Sequence, residues 1–216
     1  MNGIIWTFLG TLLTLSVTTL GAAGVFFVKK EIGGRLQSGF LGFAGGVMIA
    51  ASVWSLLLPG IEYAEENGQI SWLVITCGFL IGVWLLILVD YLIRKWESFQ
   101  VKRNTAMLVT AITAHNIPEG MAIGIAFALA AQDLQDASRL SGAIALTVGI
   151  AIQNFPEGTA VALPLINNGI SKKKAFFIGS MSAVVEPVFG VLTAAAANLV
   201  QGGMPWFLAF AAGAMI

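Results

Sequence analysis

Two short segments carry the same chemistry into apolar surroundings: His115-Asn116-Ile117-Pro118-Glu119-Gly120 and Gln153-Asn154-Phe155-Pro156-Glu157-Gly158. Each joins a carboxylate, an amide and either an imidazole or a second amide to a proline, at positions where lipid-facing sequence should have none. Ionisable groups at membrane depth are expensive and mark a site or a pathway. Helical spacing gathers these groups. His115 and Glu119 stand at i and i+4, as do Gln153 and Glu157. Asn116 and Asn154 each precede their glutamate by three residues, so each glutamate shares a face or an edge with two polar neighbours. Glu186-Pro187 repeats the pairing of acid and proline further along. Carboxylates, an imidazole and amide oxygens around one point suit Zn²⁺, Fe²⁺, Mn²⁺ or related divalent ions. Taken singly, each residue has a plainer reading, since a lone buried glutamate or a proline-bent helix often serves packing and a lone histidine is more often a satisfied core residue. Three carboxylates, the one histidine and a repeated motif at one depth favour a metal site made of His115, Asn116, Glu119, Gln153, Asn154, Glu157 and Glu186.

The elements that must position these residues are membrane helices. The chain is 57% hydrophobic and 10% charged, and its mean hydropathy is +0.88, so the predicted fold class is an all-α polytopic membrane protein. Eleven basic residues balance eleven acidic ones, which gives no pointer to nucleic acid. Cys77 is the single cysteine and excludes an internal disulfide. A bilayer core of roughly 30 Å takes about 20 apolar residues in a helix. That measure predicts six full spans, about 4–28, 38–60, 71–93, 105–130, 140–166 and 174–200, in one transmembrane domain over 1–216. A seventh stretch, 205–216, is too short to cross and reads as part of a longer helix. The first span lacks a basic leader and a small-residue cleavage site, and reads as a retained helix.

Charge sets the expected orientation. Lys29, Lys30 and Arg35 lie between spans 1 and 2; Arg94, Lys95, Lys102 and Arg103 between spans 3 and 4; Lys172, Lys173 and Lys174 between spans 5 and 6. Arg139 alone is on the other side. The positive-inside rule puts those three loops in the cytoplasm and the N-terminus outside, in the cell (inner) membrane. Glu62, Glu65, Glu66, Asp133 and Asp136 then lie outside, either as ordinary solvated loop residues or as an acidic vestibule that concentrates cations. Asp90, one turn before Arg94, is explained by pairing or by its place near the interface. Spans 4 and 5 run in opposite directions, so the two motifs face each other at similar depth. Pro118 and Pro156 are expected to kink their helices and to free the carbonyls of Ala114 and Ile152. Met48, Ser52 and Ser55 fall on one stripe of span 2 and line either a helix contact or the metal pathway.

At these motifs the chain resembles the ZIP (Zrt-, Irt-like) family of divalent-metal transporters, and within it the bacterial GufA-like branch. The resemblance extends over essentially the whole chain. It implies eight transmembrane helices in a 3+2+3 arrangement with an inverted repeat, and a binuclear site between spans 4 and 5. By motif match, His115, Glu119, Gln153 and Glu157 form one metal position. Asn116, Glu119, Asn154, Glu157 and Glu186 form the second, with the two glutamates bridging. The chain departs from the commoner pattern at Gln153, where many members have histidine, and at Asn154, where some have an acid. It also lacks the long histidine-rich loop between spans 3 and 4. An internal echo agrees with an inverted repeat: Gly42-Phe-Ala-Gly-Gly-Val-Met48 resembles Ala209-Phe-Ala-Ala-Gly-Ala-Met215, in spans of opposite direction.

The leading functional expectation is a carrier moving a divalent ion, Zn²⁺ first and also Cd²⁺, Fe²⁺ or Mn²⁺, into the cytoplasm by alternating access. The metal is cargo rather than cofactor, and no enzymatic activity is expected. The alternatives are an intramembrane metal-dependent hydrolase and a metal-selective channel. The other partners named by the sequence are the bilayer and a second copy of the chain, as a homodimer.

Overall fold

The computed structural model describes residues 2–27, 34–97, 103–132, 137–197 and 201–215. Among them there is helix and turn but no strand. The helices are α1 (Gly3–Ala23), α2 (Gly34–Ala51), α3 (Leu58–Glu66), α4 (Ser71–Glu97), α5 (Arg103–Gln132), α6 (Ala137–Asn167), α7 (Lys172–Met181), α8 (Val185–Ala197) and α9 (Met204–Met215). A π-helical turn, Ser52–Leu57, joins α2 to α3 without a break. Lys29, Lys30, Lys102, Asp133 and Asp136 lie outside the described residues, as do the side chains of Arg35, Arg94 and Arg103.

The packing is inside-out relative to a water-soluble bundle. Large apolar side chains point outward, among them Leu9, Leu20, Trp54, Trp72, Trp84 and Tyr91, whereas Ala, Gly and Thr fill the buried positions. Exposed apolar area on this scale needs a lipid surround, and small residues let helix backbones approach where no hydrophobic force drives them together. On α1 the two faces separate cleanly. Thr7, Thr11, Thr14 and Thr18 are 0–1% exposed, while Ile5, Leu9, Leu13 and Leu20 face out.

Four stretches are long and apolar enough to cross a bilayer on length and composition: Gly3–Phe26, Gly45–Glu66, Ser71–Leu92 and Lys172–Ala197. The two motif-bearing helices, α5 and α6, are 30 and 31 residues, about 45 Å at 1.5 Å per residue. Their motifs dilute the hydropathy, which their central position tolerates because other helices shield them from lipid. The chain is thus a multi-pass helical membrane protein.

The motif prolines sit within continuous helices, and one predicted span is divided. Neither Pro118 nor Pro156 interrupts its helix; α5 and α6 run through both, and α6 also through Pro164. Packed neighbours let a membrane helix tolerate the lost hydrogen bond. The break occurs instead in the predicted sixth span, where α7 ends and Ser182–Val184 form a turn before α8. Glu186 and Pro187 then occupy the first turn of α8. Proline suits that turn because its missing N–H would have had no partner, and an acid there meets the positive end of the helix.

The helix pairings carry an internal symmetry. α1 packs along α6 and α8 along α5; α2 also meets α6, and α9 meets α5. Exchanging the two motif helices exchanges one set of partners for the other, as an inverted repeat requires, and pairs α2 with α9, the helices that carry the sequence echo. Close-approach glycines hold the seams. A Cβ on Gly120 would strike the backbone of Glu186 in α8, and one on Gly158 would strike the Thr18 carbonyl in α1. The last residue of each motif therefore seats a partner helix.

Candidate metal site

α5 and α6 cross as antiparallel neighbours, and their motifs meet. Gln153 Nε2 donates to Glu119 Oε1, a bond of 2.5 Å from one motif copy to the other. His115 lies one turn before Glu119 on α5, and Glu157 one turn after Gln153 on α6. Glu119 is fully buried and Gln153 is 1% exposed, whereas His115 and Glu157 are half-buried. Glu157 lies close enough to Glu119 and Glu186 for their charges to interact.

The second shared residue type behaves alike in both copies. Asn116 Nδ2 donates to the Ser182 carbonyl at 3.1 Å, which caps the chain break between α7 and α8. Asn154 Nδ2 donates to Glu186 Oε1 at 2.9 Å and reaches the Thr14 carbonyl at 3.5 Å. Thr14 Oγ1 of α1 donates to Glu186 Oε2. Asn154 and Thr14 thus each hold one oxygen of the Glu186 carboxylate, and two more helices are tied to the site.

The amides share one polarity. Each nitrogen end is spent on a protein acceptor, and each oxygen end is unspent: Asn116 Oδ1, Gln153 Oε1 and Asn154 Oδ1 are buried without a hydrogen-bond partner, and so is Glu119 Oε2. Buried oxygens without partners are rare, because each forfeits its hydration with nothing in return. Four such acceptors from two facing motifs make a region that donors of the protein leave unfilled and a cation would satisfy. Among the described residues, no three His, Cys, Asp or Glu side chains are close enough to hold an ion by themselves. The four unpartnered atoms are one carboxylate oxygen and three amide oxygens, the harder ligand types of the range that sequence chemistry allowed.

The three span 2 residues have different surroundings. Met48 packs half-buried against the main apolar cluster, Ser52 is fully buried with an unpartnered hydroxyl, and Ser55 lines a cavity of about 290 Å³ at the acidic end of the bundle. The π turn that starts at Ser52 adds a residue to the turn and alters the direction of Ser55 relative to a regular helix. Its sequence signal is Pro59, which cannot donate to the carbonyl one turn earlier. On α5 that cavity reaches Ala126, seven residues and about 10 Å beyond Glu119. Buried Ile123 of α5, with Leu146 and Ile150 of α6, fills the interval in a dry layer with Leu56 and Met215.

Sequence reasoning missed Thr14. Thr7, Thr11, Thr14 and Thr18 recur at spacings of four, three and four in an otherwise apolar helix, a pattern that marks one face and shows which side of the first span points inward.

Comparisons with known proteins identify the family. A family model described as ZIP Zinc transporter matches residues 97–216. A zinc transporter ZIP11 of Xenopus tropicalis is 33% identical over 99% of this chain and 86% of its own length. The zinc transporter GufA of Myxococcus xanthus is 33% identical over 95% of this chain and 82% of its own, and the zinc transporter ZIPB of Bordetella bronchiseptica 34% over 96% and 68%. Matched by that model across more than half its length and by such relatives across nearly all of it, the chain belongs to the ZIP zinc transporter family.

Proposed function

We propose that the chain moves divalent metal ions, Zn²⁺ foremost, across the cell (inner) membrane into the cytoplasm by alternating access. The carrying observation is the set of four buried, unpartnered oxygens on Asn116, Glu119, Gln153 and Asn154. Glu119 and Glu157 are the charged ligands of this reading, His115 the imidazole ligand, and Glu186 a ligand whose orientation Asn154 and Thr14 set. The relatives' names as zinc transporters support transport over hydrolysis. The orientation rests on the exposed Lys172, Lys173 and Lys174 standing at the end of the bundle opposite Glu62, Glu65 and Glu66. Cd²⁺, Fe²⁺ and Mn²⁺ are secondary substrates by ligand chemistry, and a homodimer is the assembly to test first.

The test is flux of Zn²⁺, Cd²⁺, Fe²⁺ and Mn²⁺ into liposomes containing the purified chain. A saturable signal that Glu119→Ala and Glu157→Ala both abolish is expected. Unchanged flux in both variants would sink the site assignment, and flux rising linearly without saturation would point to a channel. Ligands must lose their protons to bind metal, so uptake falls as the medium is acidified, and a flat profile from neutral to mildly acidic pH contradicts ligation by these groups.

A further inference from the structure

The helices divide into two packed groups. α1 and α5 to α8 pack mutually as one and α3, α4 and α9 as the other, while α2 against α6 and α9 against α5 join them. Glycines stiffen each internally, as where a Cβ on Gly213 of α9 would strike the Phe79 backbone of α4. At the acidic end the groups face each other across the 290 Å³ cavity, lined by Glu62, Tyr63 and Glu66 of α3 and by Ser138 and Arg139 of α6, with Leu208 of α9.

Arg139 spans this cavity. Its Nη2 donates to Glu66 Oε2 at 3.3 Å and Oε1 at 3.5 Å, and its guanidinium carbon lies 4.4 Å from the centroid of the Tyr63 ring. The planar guanidinium suits both contacts at once. Arg139 sits in the first turn of α6, where the positive end of a helix disfavours a cation. The contacts across the cavity to Glu66 and Tyr63 offset that cost. The segment it holds, α3, follows directly on the π turn Ser52–Leu57, a kind of local irregularity that concentrates at functional sites.

We propose that Arg139 is a positioning residue for transport, a latch that fastens α3 to α6 across the cavity mouth and releases as the two helix groups move, with the π turn as hinge. This rests on the transport reading above. The latch has the strength such a role needs. Glu66 is 59% and Arg139 23% exposed at the side chain, so water can replace each contact and the pair breaks and re-forms readily. A fully buried pair would lock the groups together.

Ala143 lines the same cavity and is 2% exposed. An Ala143→Cys reporter in a Cys77→Ala background is read by its rate of reaction with a water-soluble maleimide, on the purified full chain without metal. Adding Arg139→Gln accelerates labelling about fivefold, the scale of shift that losing one modest contact produces. Glu66→Gln gives the same acceleration and the double variant no more. Arg139→Lys, which keeps the charge but not the fork or the stacking, falls between. Glu66→Gln breaks the contact from its exposed side, so a misfolded Arg139 variant does not blunt the test. Equal labelling rates in the parent, Arg139→Gln and Glu66→Gln overturn the latch whatever the flux. A parent chain that labels as described but carries no Zn²⁺ in liposomes overturns the transport reading instead.

Discussion

The two motif copies share four of six residues yet occupy different surroundings. In the first, Glu119 is fully buried and takes a hydrogen bond from the other copy's Gln153. In the second, Glu157 is half-buried, as is His115 of the first. The first asparagine caps a chain break at Ser182; the second orients a third carboxylate, Glu186. The repeated acid is thus fully buried in one copy and partly exposed in the other, although Gln153 and Asn154 of the second copy are as buried as Glu119. The lesson is that duplicating a motif duplicates its ligand types but not their energetics. A fully buried carboxylate depends on its neighbours or on an ion.

Loss of the fully buried acid should have the largest effect. Removing one member of a buried polar network costs about 3–5 kcal/mol, so Glu119→Ala should cut Zn²⁺ flux by roughly 100-fold or more. Glu157→Ala should leave more residual metal binding than Glu119→Ala when both are titrated calorimetrically; equal losses would erase the distinction between the copies. The motif glycines come next. Gly158→Ala and Gly120→Ala should each destabilise the chain by about 1–3 kcal/mol through overpacking, read as a lowered melting temperature in detergent. Gly142, where a Cβ meets nothing within 4 Å, supplies the tolerated control. Thr14→Val, close to isosteric, leaves one Glu186 oxygen without its donor at a cost of about 1–3 kcal/mol. Metal affinity should fall by about tenfold, while Thr18→Val, whose hydroxyl bonds only to the Thr14 carbonyl in its own helix, should change it little. The smallest effect is the most informative about asymmetry. Gln153→His turns the second copy toward the first and exchanges an amide oxygen for imidazole, a better ligand for Zn²⁺ than for Mn²⁺. Competition assays should show the preference for Zn²⁺ over Mn²⁺ rising a few-fold, and no change would remove Gln153 from the metal's surroundings.

Much of the site was legible because helical spacing is rigid. The i, i+4 relation of His115 with Glu119 and of Gln153 with Glu157, combined with opposite helix directions, was enough to bring the copies together. The membrane class followed from composition. What escaped the sequence depended on contacts between helices. Glu186-Pro187 predicted a proline within a span, but whether the helix breaks there or at Pro118 is decided by what satisfies the loose carbonyl, and at Ser182 that group is Asn116 from another helix. The π turn escaped because Pro59 signals a disturbed helix without saying which way the extra residue is absorbed. Thr14 escaped because threonine in a membrane span usually bonds to its own backbone, and a second acceptor beside it appears only once α8 is in place.

That threonine ladder bears on how the protein is made. Thr11 bonds the carbonyl of Thr7, Thr14 that of Thr11, and Thr18 that of Thr14. Each of these hydroxyls thus finds its acceptor within the first helix, and α1 can enter lipid alone, ahead of every helix it later touches, at small polar cost. Of these three, Thr14 is the one with an acceptor on another helix, Glu186, some 170 residues downstream. Its single proton can be retained locally during synthesis and shared with the carboxylate on assembly, so a helix translated well before α8 waits for the last acid of the site.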